Sequence, residues 1–467
     1  MVIDDIAFAS LAELARGLRS RAYTSVHLVQ LYLDRIARLD ERAHAYVNVY
    51  RESALLAAQA ADAQRDSGTP LPALHGLPIA VKDLCEIDQQ ITTAGSRHWQ
   101  GRRSTVTSAV VERLQSAGMV LLGKTHMVEF AFGGWGTNVH MGTPRNPWDW
   151  LGKHRAPGGS SSGSGVAVAA GLAPAAIGSD TGGSVRIPAA FNGVTGLKTT
   201  NGRISLYGVV PMSPTLDTIG VLTRTAEDAA LLAHALAGFD ARDPRTHGPP
   251  CAPIDIASFD TPRPAKIAVL RPDQYPTAVT DDIQKATEEA IRAFQSLGAT
   301  VEYPSVPLDF SELMRSSGTI ISAEAYRVHA AYIEDTDAFD PWVRKRILAG
   351  RNVDASTYSS AQAHRQETMA AFDAWMRSYD VLLTPVLPFA AAPLDEIDEA
   401  IHLTPFTRPV NYLETCALSL PAGFTRDGMP IGVQLIGKRW QEAMLLQFGH
   451  AFQSVTDWHR RKPSDLH

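Results

Sequence analysis

Two periods of apolar spacing alternate along this chain and separate helices from buried strands. Ser10-Leu11-Ala12-Glu13 has the form of a capping box and predicts a helix start. After Thr24-Ser25, the residues Val26, Leu28, Val29, Leu31, Leu33, Ile36 and Leu39 recur at helical spacing. An alanine-rich helix is expected over 52–64. Together they predict an N-terminal helical segment over 1–70, a candidate dimerisation element, ahead of a body over 71–467.

At Leu77 the texture changes. Leu77-Pro78-Ile79-Ala80-Val81-Lys82 reads as a buried strand that ends in a lysine. A helix near 107–116 then leads to a strand at 119–122. Strands are expected again at 266–270, 300–303, 380–384 and 431–436, with helices at 281–297 and 442–452. Such alternation predicts an α/β fold around a large, mostly parallel sheet. Residues 305–375 read as mostly helical, a candidate cap over a site. Gly248-Pro249-Pro250-Cys251-Ala252-Pro253 is the best linker candidate.

Composition narrows the classes. At 467 residues with 45% hydrophobic positions, the chain can bury a large core. Its net charge of -6, without a basic stripe, argues against holding a phosphate backbone, so no nucleic-acid partner is expected. No basic and apolar leader opens the sequence and no apolar run approaches membrane-spanning length. Cys85, Cys251 and Cys416 are far apart and form no C-x-x-C pair, so neither a disulfide framework nor a zinc site is expected. A cytoplasmic protein with no membrane partner fits best.

Three apparent motifs do not hold up. Gly118-Met119-Val120-Leu121-Leu122-Gly123-Lys124-Thr125 matches a phosphate-binding loop, but its four intervening residues form an apolar strand rather than a polar loop. Gly159-Ser160-Ser161-Ser162-Gly163 matches a nucleophile elbow centred on Ser161, but a polar, Pro-broken stretch stands where a strand is needed. Cys85 reads better as a small buried hydrophobe than as a nucleophile.

Three other segments carry chemistry together. Lys82 ends an apolar strand, where burial lowers an amine's pKa and leaves a competent base. Pro157-Gly158-Gly159-Ser160-Ser161-Ser162-Gly163-Ser164-Gly165 gathers hydroxyls in a flexible loop. In Gly178-Ser179-Asp180-Thr181-Gly182-Gly183-Ser184-Val185-Arg186, a serine follows Gly-Gly where backbone N–H groups can converge, and Asp180 and Arg186 are placed to pair. Read singly, each segment is a strand-end lysine, an anion-binding or flexible loop, or a tight turn.

Taken together, these segments resemble the amidase signature family. The resemblance runs from about Leu11 to Phe452, strongest over 77–221. It includes Arg145-Asn146-Pro147-Trp148, Gly193-Val194-Thr195-Gly196-Leu197-Lys198-Thr199, Leu420-Pro421-Ala422-Gly423 and Gly428-Met429-Pro430-Ile431-Gly432. Ser160 and Ser184 stand 24 residues apart, as the family pattern requires. The resemblance implies an α/β/α sandwich and a Ser–Ser–Lys unit: Ser184 as nucleophile, Ser160 as a bridging serine behind a cis peptide bond, and Lys82 as base. It implies an oxyanion hole from the N–H groups of Thr181, Gly182, Gly183 and Ser184, and neither cofactor nor metal. Its N-terminal helices often mediate dimers. The chain departs from the family at Ser162, where glycine is commoner; serine would be strained there if the site needs positive φ.

The expected function is hydrolysis of a small carboxamide by a stand-alone amidase. That amide is the expected partner, with a second copy of the chain as a further candidate. The segment 126–138, with Phe132, Gly133, Gly134 and Trp135, is the candidate substrate wall or else plain core. Tyr207, Arg408 and Tyr412 are further candidates, Arg408 for a substrate carboxylate. The alternatives are the glutamine-hydrolysing A subunit of a tRNA-dependent amidotransferase and a non-catalytic scaffold.

Overall fold

Strands buried at every position need cover on both faces, and this chain has several. The computed structural model describes residues 6–248, 254, 265–334 and 338–466. In chain order the strands are β1 (Tyr46–Val49), β2 (Pro78–Lys82), β3 (Val120–Thr125), β4 (Ala175–Asp180), β5 (Thr195–Lys198), β6 (Thr218–Thr223), β7 (Lys266–Val269), β8 (Thr300–Glu302), β9 (Val381–Pro385), β10 (Ala417–Phe424) and β11 (Pro430–Ile436). They join in one sheet ordered β1-β3-β2-β4-β6-β5-β10-β11-β9-β7-β8. No residue of β2, β4, β5, β6, β9 or β11 reaches solvent appreciably.

The sheet is mixed. Parallel pairings lie toward its two sides, β3-β2-β4 and β9-β7-β8. Between them, from β4 through β6, β5, β10 and β11 to β9, neighbours run antiparallel. The expected large α/β sheet is therefore present, but its centre, β6, β5, β10 and β11, is antiparallel. Threonine and glycine break the apolar run in the short strands β5 and β6.

The N-terminal helices form as the spacing predicts. Ser10 and Glu13 close the capping box on the helix Leu11–Arg19, whose Leu11, Leu14 and Leu18 are buried. The helix Ser25–Ala43 buries Leu28, Val29, Leu31, Leu33, Ile36 and Leu39. Between it and the helix Arg51–Asp66 the chain adds β1, antiparallel to β3, which ties this segment into the main sheet. The linker candidate at 249–253 lies outside the described residues. None of the described helices is long and apolar enough to cross a membrane.

Candidate active site

The C-terminal ends of β2, β3 and β4 point the same way, the usual place for a site in an α/β sheet. Lys82 ends β2 there and is fully buried. Its Nζ donates to Ser160 Oγ at 2.7 Å and to Ser179 Oγ at 2.9 Å. Burial drives its pKa down to about 7, against weaker opposing fields from Cys85, Asp180 and Asp217. The Gly159–Ser160 peptide is cis.

The hydroxyls of the serine loop anchor it to the sheet. Ser161, the N-cap of the helix Ser162–Ala169, hydrogen-bonds through Oγ to both the N–H and the carbonyl of Ser179 at 3.3 Å. Ser164 Oγ donates to the Ile177 carbonyl at 2.9 Å. Ser161 thus has a structural place and no preceding strand. Ser162 opens the helix and is absent from the positive-φ residues, so its side chain is not strained.

Ser184 is nearly buried and borders a cavity of about 400 Å³. Its carbonyl accepts from the Ser161 N–H at 3.2 Å, which holds the two serine loops together. Among the described residues no hydrogen bond joins the Ser160 and Ser184 hydroxyls; that of Ser184 is left to the cavity.

The turn before Ser184 is braced as its sequence suggests. Asp180 and Arg186 form a fully buried ion pair, with Arg186 Nη2 and Nε at 2.9 and 3.0 Å. Asn411 Nδ2 adds a bond to the same carboxylate at 2.9 Å. Burial works against this charge, yet Arg186 holds the carboxyl well below the usual range. Gly183 adopts φ 129° and packs where a Cβ would strike Thr407 Oγ1, so only glycine suits the position. Here the geometry departs from the expectation of four oxyanion donors. The Gly183 N–H is already given to Asp180 Oδ1 at 2.8 Å. Thr181, Gly182 and Ser184 remain as candidate donors.

The cavity wall combines distant segments. Phe132, Gly133, Gly134 and Trp135 all border it, and Phe132 and Trp135 are also core residues. This strip lies on the serine loop: the Gly159 N–H donates to the Gly134 carbonyl at 2.7 Å, and the Gly158 N–H to that of Trp135 at 3.0 Å. The helices Phe310–Ile333 and Pro341–Ala349 supply Met314, Ile321 and Arg346. Arg408 borders the cavity too. The other two candidates do not. Tyr207 lies under the Arg242 guanidinium, and Tyr412 is buried with its hydroxyl on Ala361 and His364.

Sequence reasoning missed Ser179, the second acceptor of Lys82. Its one visible signal is its place at the end of a buried strand beside the lysine's own. It also missed Asp217, which accepts from Thr181 Oγ1 at 2.5 Å. Lys124, the lysine of the apparent phosphate loop, is buried in β3 and ion-paired with Asp83 at 3.3 Å, with no loop to cradle a phosphate. Cys85 is buried and its thiol is pushed up to about 12 by burial, a poor nucleophile.

Comparison with known proteins agrees with this architecture. The family model described as amidase matches residues 27–446. The A subunit of the glutamyl-tRNA(Gln) amidotransferase of Ralstonia nicotianae is 39% identical, covering 98% of this chain and 99% of its own. Among solved structures, one comes from a vestigial protein complex tied to the origins of an s-triazine catabolic enzyme. It superposes with a TM-score of 0.88 at 32% identity, covering 96% of this chain and 98% of its own. The corresponding amidotransferase protein of Thermotoga maritima superposes with a TM-score of 0.80 at 30% identity, covering 96% and 95%. These relatives overturn the expectation of a small-molecule amide as sole partner with no nucleic acid. Proteins this similar over nearly their whole length are named as subunits of an enzyme acting on glutamyl-tRNA. Net charge misled because it reports on a chain alone and says nothing of a subunit in an assembly. Sequence, fold and site together show that the chain belongs to the amidase signature family.

Proposed function

We propose that the chain hydrolyses a carboxamide through an acyl-enzyme on Ser184. Neutral Lys82 takes the Ser160 proton as Ser160 takes that of Ser184. Ser184 Oγ forms its bond to the amide carbon, and the carbonyl oxygen gains negative charge. The N–H groups of Thr181, Gly182 and Ser184 face that oxygen. The relay reverses, the C–N bond breaks, and the amine leaves with the proton. Water repeats the sequence against the ester and frees the acid. The observation that carries this reading is the 2.7 Å contact between a fully buried, carboxylate-free Lys82 and Ser160. An amine held by hydroxyls alone stays near neutrality and can accept a proton.

The relatives named as amidotransferase subunits favour a second reading, in which the amide is glutamine and the ammonia goes to a partner's tRNA-bound substrate. One assay addresses both: ammonia release from an amide panel including glutamine, by wild type and Ser184→Ala. Turnover by wild type alone supports the hydrolase. Glutamine turnover only when amidotransferase partner subunits are added supports the second reading. Turnover retained by Ser184→Ala overturns the mechanism.

A further inference from the structure

The cavity at Ser184 has an unbalanced charge. Arg315, Arg346 and Arg408 border it, and no aspartate or glutamate does. Two of the three have other attachments. Arg346 holds Glu399 at 2.7 Å and the Phe132 carbonyl at 3.0 Å. Arg315 is exposed and donates to the Ser311 carbonyl at 3.3 Å. Arg408 is different: its Nε is buried without a hydrogen-bond partner, and no ion pair neutralises it among the described residues. Burial, reinforced by the charge of Arg346, lowers its pKa to about 10, so it stays cationic at neutral pH.

Its position is informative. A Cβ on Gly182 would lie 3.5 Å from Arg408 Nε, and a Cβ on Gly318 would lie 3.3 Å from Nη1. The guanidinium therefore spans from the turn carrying Ser184 to the helix Phe310–Ile333. The cavity it borders is walled mostly by apolar side chains, Phe132, Ile187, Met212, Met314, Ile321 and Leu403, with Ser322, His402 and Thr404 among its uncharged or weakly basic polar ones. Leaving a cation unpaired in such a place is costly unless an anion arrives to meet it.

We infer that Arg408 is the recognition site for a carboxylate on the amide substrate, and that this substrate carries no cationic group. The inference rests on the hydrolase reading and names its substrate class: short carbamoyl carboxylates with an apolar body. A planar guanidinium suits a carboxylate through paired N–H donors. An ammonium here would meet three arginines and no acid on the cavity wall, the nearby Glu399 carboxylate being taken up by Arg346, so zwitterionic glutamine binds less well than its analogue lacking the amine.

The test measures binding and turnover separately. Calorimetry on Ser184→Ala, which binds without turnover, would compare succinamate, glutaramate and 3-carbamoylbenzoate with their neutral methyl ketones, 4-oxopentanamide, 5-oxohexanamide and 3-acetylbenzamide. At least one carboxylate is expected to bind tenfold or more tighter than its ketone, and glutaramate tighter than glutamine. In Ser184→Ala/Arg408→Gln that selectivity should fall toward one; in Ser184→Ala/Arg408→Lys part of it should return, which separates lost charge from lost folding. No carboxylate preference, a preference that survives Arg408→Gln, or glutamine binding tighter than glutaramate each overturns the inference. Failure of the hydrolase reading looks different: the preference is present in binding, but wild type turns over none of the compounds.

Discussion

Two lysines stand at or beside the C-terminal ends of neighbouring strands, and their surroundings give them opposite roles. Lys82 and Lys124 lie on β2 and β3, which pair in parallel with Val81 opposite Lys124. Both are fully buried. Lys124 faces Asp83 at 3.3 Å and donates to Thr92, so its charge has a counter-charge and it serves the fold. Lys82 has two serine hydroxyls and no carboxylate within hydrogen-bonding reach. Burial lowers both amines, but only Lys82 is left without a carboxylate to hold its proton. A third case limits this rule: Lys198 also lacks a hydrogen-bonded carboxylate and is lowered to about 8, by burial first, but its partners are the carbonyls of Thr199 and Thr415, which have no proton to pass. The partner, rather than the strand-end position, decides whether a buried lysine is a base or a brace.

The most direct way to break the comparison is to remove each amine. Lys82→Met should lower kcat/KM about a thousandfold or more, roughly 4 kcal/mol of barrier, with little loss of stability. Lys124→Met should do the reverse. It strands the Asp83 carboxylate in the core and costs about 3–5 kcal/mol of folding free energy, while the folded fraction keeps turnover. Denaturant titration beside steady-state kinetics separates the two outcomes. Equal effects on both measurements for both variants would show that position alone matters.

The pH profile sharpens the same contrast at smaller amplitude. A base must be neutral to work, and Lys82 is neutral only above its lowered pKa. With that value near 7, kcat/KM should fall about tenfold per pH unit below 7, near 1.4 kcal/mol per unit, and level off above it. A profile flat from pH 5 to 8 would remove Lys82 from the role of base.

How much of this is legible in the sequence varies with distance along the chain. Asp180 and Arg186 are six residues apart, and their types alone suggest the pair that forms. The strands β2, β9 and β11 are visible as short, mostly apolar runs. β1 is not, because four residues between two helices leave no period to detect. The acceptor role of Ser179 is hidden because it depends on β4 lying beside β2, across 97 residues of sequence. The unbalanced cavity is hidden for the same reason. Arg408 can be named as a candidate, but its lack of a partner emerges only once Gly182, Gly318 and Met314 are in place around it.

The smallest effect extends the comparison from lysines to hydroxyls. Ser160 has an amine on its oxygen; Ser162, two residues on, is equally buried and its Oγ has no partner. An unpaired buried hydroxyl costs about 1–3 kcal/mol on the scale of protein substitutions. Ser162 also occupies the first position of a helix, where its side chain makes no cap. Ser162→Ala removes the unpaired group and places a better helix former there. The variant is therefore expected to be as stable as wild type or up to about 1 kcal/mol more stable, a rise of a few degrees or less in Tm for a protein of this size. Its kcat should stay within twofold, because the contacts of Lys82 with Ser160 and Ser179 do not pass through it. A clear fall in Tm would mean that the hydroxyl has a partner in solution. A large fall in kcat at unchanged Tm would mean that it belongs to the proton path, and the chain's departure from the family glycine at this position would then concern catalysis rather than packing.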